Sequence, residues 1–374
     1  MSAPQERARQ AAESPFLRDQ WYVIGWGRDI GPEPYARTVC GEPILVYRKQ
    51  DGTLAAMRDA CPHRLLPLSM GIKEGDNIRC RYHGLLLDAD GCAVEMPLRS
   101  DRVNRALCAQ KYPVIERYNF VWVWIGDADK ADPALLPEFW MCEREGWVFD
   151  GGTYHVRCNY QLLVDNLMDL THETYVHATS IGQSELMDTP INTRMDGDKV
   201  IVERWMANVP TPPAYRETHS TGNVDRWQVC YFLPPSSVVI DVGVAPVEEG
   251  ATLENHPVRS FVIDAMTPET ETTTHYYWGA ARNVDIENTA RTVRTRELQR
   301  AVFGEDVEIL EAQQRSIALN PDLKMRSFNI DSGGARARMI IRRMLRGQSA
   351  AEAVAGSAGP EISMPSEECP PQKA

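Results

Sequence analysis

Residues 61–64, CPHR, and residues 80–84, CRYHG, place two cysteines and two histidines on two short segments of a β-rich region. The pattern is Cys-x-His, then sixteen residues, then Cys-x-x-His. Pairs of thiolates and imidazoles on two tight loops can close around a metal, because each loop holds its two donors side by side. The sequence therefore predicts a metal site in this region, with candidate ligands Cys61, His63, Cys80 and His83.

Two kinds of metal centre suit these four ligands. A structural zinc ion with two cysteines and two histidines is one alternative, although the Cys-x-His half departs from the common zinc spacings. A Rieske [2Fe–2S] centre is the other, since two thiolates hold one of its irons and two histidines hold the second. The spacing favours the Rieske centre.

A second cluster lies at residues 165–178, DNLMDLTHETYVHA. A plain amphipathic helix with charges on its wet face is one interpretation. The other is the two-histidine part of a 2-His-1-carboxylate iron site, which a one-electron donor such as a Rieske centre would serve. Five residues of helix turn His172 and His177 about 140° apart. We therefore predict that the helix breaks or bulges between Glu173 and His177.

The third ligand of such a site is expected from a later helical stretch, residues 287–319, which we predict to be interrupted near Gly304. Its segment FGEDVEILEAQQ begins at Phe303 and carries several carboxylates. An acidic helix face is usually just solvated, so the residues alone leave the choice open among Glu305, Asp306, Glu308 and Glu311.

Composition excludes some classes of function. The 374 residues carry a net charge of −12, which argues against nucleic acid as a partner because phosphate binding needs clustered Lys and Arg. No apolar run of membrane-spanning length and no signal-peptide pattern appears, so we expect a cytoplasmic protein. Nine cysteines, an odd number, indicate thiols or metal ligands rather than a disulfide scaffold.

Changes in composition predict four segments. Residues 1–16 are a loose polar leader, and residues 17–127 form a small all-β domain of short strands. Residues 128–346 mix long strands with helical stretches, so we expect an α+β domain with a large antiparallel sheet flanked by helices. Residues 347–374 are rich in Ala, Gly, Ser, Pro and Glu and are expected to be a disordered tail.

These motifs together resemble the Rieske non-haem iron aromatic-ring oxygenases over roughly residues 18–345. Within that family the resemblance is to the vanillate O-demethylase group, and the stretches DNLMDLTHETYVHA, DRWQVCYFLPPS, DAMTPE and NIDSGG carry it. The resemblance implies a Rieske [2Fe–2S] domain followed by a catalytic non-haem iron domain.

The resemblance also implies a role for particular residues. It makes His172, His177 and Asp306 the ligands of the mononuclear Fe(II). It places Asp169 between the two metal centres, hydrogen-bonded to His172 and to His83 of the partner subunit in a homotrimer. Asn166 would lie near the iron without being a strong ligand.

The reaction implied by the resemblance is oxidative demethylation by a terminal monooxygenase. Electrons would pass from NAD(P)H through a separate flavin and [2Fe–2S] reductase, or a ferredoxin, because this chain has no dinucleotide-binding fingerprint. With O2, the enzyme would convert a methoxylated aromatic acid such as vanillate and release formaldehyde. N-dealkylation of a neutral aromatic amide or amine, such as a chloroacetanilide, is the alternative. An electron carrier or zinc-stabilised binding protein is disfavoured, since neither needs the second cluster.

The substrate pocket is predicted only by similarity to a related oxygenase of this family. The positions that this similarity indicates are Ile240, Asp264 and Glu297. None is cationic, whereas a buried substrate carboxylate would need a basic partner. The arginines that could supply one, if they point inward, are Arg204, Arg216 and Arg282.

Overall fold

The computed structural model describes residues 15–98, 100–212, 215–216, 222–256 and 260–346. They form two compact units, of which the first runs to Glu138 and includes Thr267–Glu271, while the second holds the remainder. The predicted leader, residues 1–16, lies almost wholly outside the described residues, and the predicted tail, residues 347–374, lies entirely outside them. The domain boundary at 127–128 stays a prediction.

The first unit is built from short antiparallel strands. Its strands, within the described residues, are β1 (Gln20–Trp26), β2 (Tyr35–Val39), β3 (Glu42–Arg48), β4 (Leu54–Arg58), β5 (Ile72–Glu74), β6 (Asn77–Arg79), β7 (Leu86–Leu87), β8 (Ala93–Glu95), β9 (Val114–Arg117) and β10 (Phe120–Ile125). They pair in the orders β1-β10-β9, β2-β3-β4 and β5-β6-β7-β8. Aromatic and β-branched residues fill β10, and all six are buried, as suits a central strand.

The second unit contains one large antiparallel sheet with helices packed against it. Its strands are β11 (Val148–Val156), β12 (Asn192–Asp196), β13 (Lys199–Pro210), β14 (Asn223–Leu233), β15 (Ser237–Pro246), β16 (Ser260–Thr270) and β17 (Thr273–Arg282), in the order β11-β17-β16-β15-β14-β13-β12. Its helices are α1 (Tyr160–Leu167), α2 (Glu173–Val176), α3 (Thr289–Leu319) and α4 (Ser332–Leu345). The predicted α+β class, with an all-β domain followed by a large antiparallel sheet and helices, is confirmed.

Two glycines explain how closely α4 approaches α1. A Cβ on Gly333 would lie 2.5 Å from Cγ2 of Val202 and 2.7 Å from the carbonyl oxygen of Met168. A Cβ on Gly334 would lie 2.7 Å from Oδ1 and 3.1 Å from Cα of Asp165, which is on α1, so larger residues are disfavoured at both positions. The contact is completed by Arg338, whose Nε lies 2.8 Å from both carboxylate oxygens of Asp165. The segment NIDSGG therefore fixes the helix that carries the second cluster against the rest of this unit.

Helix α3 differs from expectation because it continues through Gly304 without interruption. A glycine in a helix interior costs only about 1 kcal/mol relative to alanine. Val302, Phe303, Asp306 and Leu310 of the same helix are buried, and this packing outweighs that cost. The predicted break near Gly304 is wrong.

Cysteine pairing also departs from the expectation of thiols or metal ligands alone. Cys92 and Cys108 form a disulfide, because an antiparallel bridge sets them opposite each other with a Cα–Cα distance of 4.0 Å. The described cysteines that remain free are Cys40, Cys61, Cys80, Cys142, Cys158 and Cys230, all buried. Among the described residues, no helix has both the length and the apolar character to cross a membrane.

Candidate metal centres and active site

The two Cys/His loops of the first unit share one backbone arrangement. In each loop the cysteine N–H donates to the carbonyl five residues ahead, and its own carbonyl accepts from the N–H four residues ahead. That fourth residue has a positive φ in both cases, 59° at Leu65 and 81° at Gly84. The loops therefore match, although their Cys-to-His spacings differ by one residue.

This arrangement separates the thiols from the imidazoles. Cys61 and Cys80 are buried, whereas His63 and His83 are exposed with ring centroids 4.7 Å apart. A Rieske cluster needs this division, because its two irons are held separately by two thiolates and by two histidines. Burial, together with the adjacent Cys80, raises the pKa of the Cys61 thiol, so iron would displace protons when it binds. The four residues fit the [2Fe–2S] cluster.

The second cluster is carried by two helices rather than one. Helix α1 ends at Leu167, and α2 begins at Glu173, so His172 and His177 flank a helix of only four residues. The predicted break between Glu173 and His177 is therefore misplaced: the chain leaves helical geometry before His172. The rings of His172 and His177, at the two ends of this single helical turn, have centroids 5.2 Å apart.

Asp306 completes a compact set of donors with these histidines. Its Oδ1 lies 3.2 Å from Nε2 of His177 and 3.5 Å from Nε2 of His172. One ligand atom from each residue lies within 4.8 Å of the others, with His177 and Asp306 buried. Two imidazoles and one carboxylate are the donor set of non-haem Fe(II) oxygenases, so the residues fit that metal.

The outer nitrogens of both rings are already engaged. Nδ1 of His172 lies 2.6 Å from the carbonyl oxygen of Asp169. Nδ1 of His177 lies 2.6 Å from Oε2 of Glu305. With Nδ1 occupied, each ring presents Nε2 to the shared site. Sequence reasoning treated Glu305 as an alternative ligand or a solvated acid and missed this contact; the only signal was its position beside Asp306.

Asn166 and Asp169 lie close to the set of donors. Nδ2 of Asn166 donates to Oδ1 of Asp306 at 3.1 Å, and its place beside a metal stays a prediction. The side chain of Asp169 points elsewhere, since its Oδ1 accepts from the N–H and the hydroxyl of Thr171. The contact of Asp169 with His172 is therefore made by its main chain, and the expected carboxylate hydrogen bond is not formed in this chain.

A buried charged network anchors the short helix α2. Glu173, 6% exposed, accepts hydrogen bonds from Gln228 at 2.5 Å and from Arg226 at 3.3 Å, both on β14. Buried charges persist only when they are paired and hydrogen-bonded, as here. The network ties the turn between the two histidines to the sheet, and it explains how four helical residues hold their place.

Cross-strand pairing shows which sheet residues face the helices. Ile240 pairs directly with Val262, so their side chains share one face, and Val242 lies on it two residues along. All three are partly exposed, although they lie on central strands. Asp264 lies on the same face next to Val262, and its Oδ1 accepts from the Tyr276 hydroxyl at 2.8 Å.

Asp264 is fully buried, and its second oxygen lacks a hydrogen-bond partner among the described residues. Burial raises the pKa of Asp264 to about 8; the Tyr276 hydroxyl opposes this shift, and the charge of Asp306 adds to it. A carboxyl group in this environment is protonated near neutral pH and can donate a hydrogen bond.

The structure does not bring Glu297 to this face. It lies nine residues before Asp306 on α3, about half a turn around the helix, and its exposed side chain pairs with Arg296 and Arg300. Gln299, seven residues before Asp306, faces the same way as Asp306 on the helix, and its buried Oε1 lacks a partner among the described residues. The seven-residue spacing could have indicated Gln299.

The three candidate arginines have different environments. Arg204 is buried on the helix face of the sheet; its Nη1 donates to the Leu170 carbonyl at 2.8 Å, while its Nε has no partner in the described part of the chain. Arg282 donates to loop carbonyls, among them that of Val284, and Arg216 is exposed. Only Arg204 of the three is buried without a full set of hydrogen bonds.

Comparison with known protein families agrees with both centres. Residues 20–113 match the Rieske [2Fe-2S] domain, and residues 156–347 match the vanillate O-demethylase oxygenase C-terminal domain. The chain belongs to the Rieske non-haem iron oxygenases. The family predicted from the motifs is thus confirmed, and with it the [2Fe–2S] cluster and non-haem iron as its cofactors.

Several characterised Rieske oxygenases are similar over most of their length. The vanillate O-demethylase oxygenase subunit of Pseudomonas sp. (strain HR199 / DSM 7063) is 43% identical, covering 90% of this chain and 98% of that protein. The oxygenase component of chloroacetanilide N-alkylformylase from Rhizorhabdus wittichii is 30% identical, covering 92% and 100%. The crystal structure of dicamba monooxygenase bound to dicamba matches with a TM-score of 0.82 and 31% identity, covering 89% and 98%.

Proposed function

We propose that this Rieske oxygenase is the terminal component of a monooxygenase that demethylates a methoxylated aromatic acid such as vanillate. The observation that carries the proposal is the compact set of His172, His177 and Asp306 on a chain that also has the Rieske loops. The 43% identity to a vanillate O-demethylase oxygenase subunit supports the type of reaction. The enzyme would use O2 and reductase-supplied electrons and release formaldehyde.

The metal ligands follow from the donor sets described above. Cys61, His63, Cys80 and His83 would hold the [2Fe–2S] cluster, and His172, His177 and Asp306 would hold Fe(II). The chemistry that the two groups would supply when bound is O2 activation at the mononuclear site and one-electron donation at the Rieske site. The chain itself supplies orientation: Asp169 and Glu305 fix the two rings through their outer nitrogens.

The pocket residues suit an aromatic acid. Ile240, Val242 and Val262 give an apolar, accessible floor on the helix face of the sheet, against which an aromatic ring can pack. Arg204 lies on the same face of the sheet, two strands away from Val242. It pairs with Gln228 on β14, and Gln228 in turn pairs with Val242 on β15. Its unpartnered Nε leaves the guanidinium able to pair with a substrate carboxylate.

N-dealkylation of a neutral aromatic amide or amine is the second candidate, and one observation favours it. Asp264 borders the same floor, and burial keeps its carboxyl group protonated near neutral pH. In its protonated form it would donate a hydrogen bond to a neutral carbonyl group. The similarity to a chloroacetanilide N-alkylformylase is compatible with this reaction.

Partners and assembly are part of the same proposal. The electrons would come from NAD(P)H through a separate flavin and [2Fe–2S] reductase or a ferredoxin. A cytoplasmic homotrimer would bring His83 of the partner subunit to Asp169, which would then bridge the two centres. The carboxylate of Asp169 has one oxygen, Oδ2, without a hydrogen bond to any described residue, so it has an acceptor for such a contact.

A turnover screen tests the substrate class. The iron-loaded enzyme, a purified flavin/[2Fe–2S] reductase and NADH would be supplied with methoxybenzoates and, separately, with N-alkyl anilides, and the products would be measured. We expect formaldehyde from methoxybenzoates. Arg204→Met should raise KM for them roughly 10- to 100-fold, as expected for loss of a charged hydrogen bond, whereas Arg216→Met should not.

Two results would contradict this assignment in different ways. Turnover of anilides alone would replace O-demethylation by the second candidate. An unchanged KM for methoxybenzoates in Arg204→Met would remove Arg204 from the pocket and leave the reaction type intact.

A further inference from the structure

Helix α3 presents two consecutive carboxylates to the two nitrogens of one imidazole. Asp306 Oδ1 lies 3.2 Å from Nε2 of His177, on the metal side of the ring. Glu305 Oε2 lies 2.6 Å from Nδ1, on the opposite side. Neighbouring helix positions point about 100° apart, so the ring of His177 fits between the two side chains. One turn of helix thus supplies both a ligand for the metal and a partner for another ligand.

A second group supports the position of the Glu305 carboxylate. The hydroxyl of Ser180 lies 3.3 Å from the same oxygen, Oε2. Ser180 belongs to the turn that follows His177, where the N–H groups of Ser180 and Gly182 both donate to the His177 carbonyl. The turn and the carboxylate therefore hold the ring from the side away from the metal, although Glu305 itself is partly exposed.

From this contact we infer that Glu305 is a positioning residue for the mononuclear iron, acting through His177; the inference rests on the proposed function of this site. A carboxylate on Nδ1 stabilises the tautomer with a proton on that nitrogen, which leaves the lone pair of Nε2 for the metal. It also makes the imidazole a stronger donor. His172 receives only a neutral carbonyl at its Nδ1, so the two histidines are unequal ligands.

The decisive measurement is the rate at which mononuclear iron is lost to a chelator. Wild type, Glu305→Ala, Glu305→Gln and Glu308→Ala would be loaded with Fe(II), and retained iron would be followed over time. Loss of the hydrogen-bond partner of a metal-binding histidine typically lowers metal affinity 10- to 100-fold, so we expect Glu305→Ala to lose iron roughly 10- to 100-fold faster. Glu305→Gln, which keeps an acceptor but no charge, should fall between, and Glu308→Ala, an exposed neighbour, should match wild type.

Two further readouts separate positioning from a general structural role. The Rieske absorbance and the thermal midpoint should stay within error of wild type in all these variants. Turnover per bound iron should fall in Glu305→Ala with KM unchanged. Iron loss from Glu305→Ala within twofold of that from Glu308→Ala would overturn the inference.

A wild type that binds no iron beyond the [2Fe–2S] cluster would instead refute the proposed function, so the two failures are distinguishable. If Glu305→Ala does not fold, Glu305→Asp replaces it. That variant keeps the charge but draws the carboxylate back from Nδ1 by one methylene. Accelerated iron loss from it supports the inference, and loss at the wild-type rate overturns it.

Discussion

The Tyr276 hydroxyl donates a 2.8 Å hydrogen bond to Oδ1 of Asp264, and this is the sole hydrogen bond that the described residues offer to that fully buried carboxyl group. Burial raises the pKa of Asp264 to about 8, far above that of an exposed aspartate. At a pH between the pKa of an exposed aspartate and this raised pKa, Asp264 holds a proton in the folded protein that it has lost in the unfolded chain. The free energy of unfolding must therefore fall as pH rises through this window.

We expect Asp264→Asn to remove that pH dependence. Wild type should lose stability relative to the variant between about pH 4 and pH 8, with a slope approaching about 1.4 kcal/mol per pH unit. Above pH 8 the difference should level off. Denaturant unfolding of both proteins at a series of pH values measures it, and parallel curves would show that Asp264 ionises normally. Tyr276→Phe, which removes a contact that lowers the pKa, should extend the window upward.

Asp306→Ala should empty the mononuclear site and leave the Rieske centre intact. The variant removes one of the three proposed protein ligands and the charge that would compensate Fe(II). Iron content should drop from about three to about two atoms per chain, while the Rieske electron paramagnetic resonance signal persists. Glu308→Ala, whose side chain is exposed, should keep its iron and change stability by no more than about 0.5 kcal/mol. Full iron content in Asp306→Ala would assign the third ligand elsewhere.

Asp169→Asn should nearly abolish turnover while both metals stay bound. Asparagine keeps an oxygen for Thr171, so the local turn is preserved, but the negative charge proposed to face His83 of the partner subunit is lost. We expect a loss of roughly 100-fold, with a Rieske centre that fails to reoxidise in a single turnover. Thr171→Val is the control, since it removes the local hydroxyl contact alone. An equal loss in that control would mean that the turn, and not the charge, matters.

Gly84→Ala should cost about 1 kcal/mol of stability for a purely conformational reason. Its φ of 81° disfavours any L-residue by about 1–2 kcal/mol, and a Cβ there would meet no atom within 4 Å. Leu65 occupies the equivalent position of the other loop. Leu65→Gly should relieve the strain of a positive φ but also give the unfolded chain more conformational freedom. These two effects on the free energy of unfolding should nearly cancel. Denaturant unfolding with cluster absorbance checks both; a larger loss in Leu65→Gly would mean that its side chain is needed.

Much of the architecture could be predicted from the sequence, because short strands and metal-ligand spacings are local signals. The Cys/His loops and the β16–β17 hairpin follow from neighbouring residues alone. The helix break was predicted after Glu173, but it lies before His172. Its position depends on the buried contacts of Glu173 with β14, which no local pattern encodes. Glu305 was missed for a similar reason, since a carboxylate on a helix becomes a histidine partner only through tertiary structure.

The carbonyl of Asp169 that holds His172 is present whatever side chain occupies that position. Point mutation cannot delete this contact without moving the backbone, whereas a single codon change removes the carboxylate beside His177. Substitution at position 305 would therefore adjust the proposed iron site through His177, whereas substitution at position 169 would leave the contact of His172 in place. A library that varies position 305 would sample graded metal environments, while a library at position 169 would keep the ring of His172 in place.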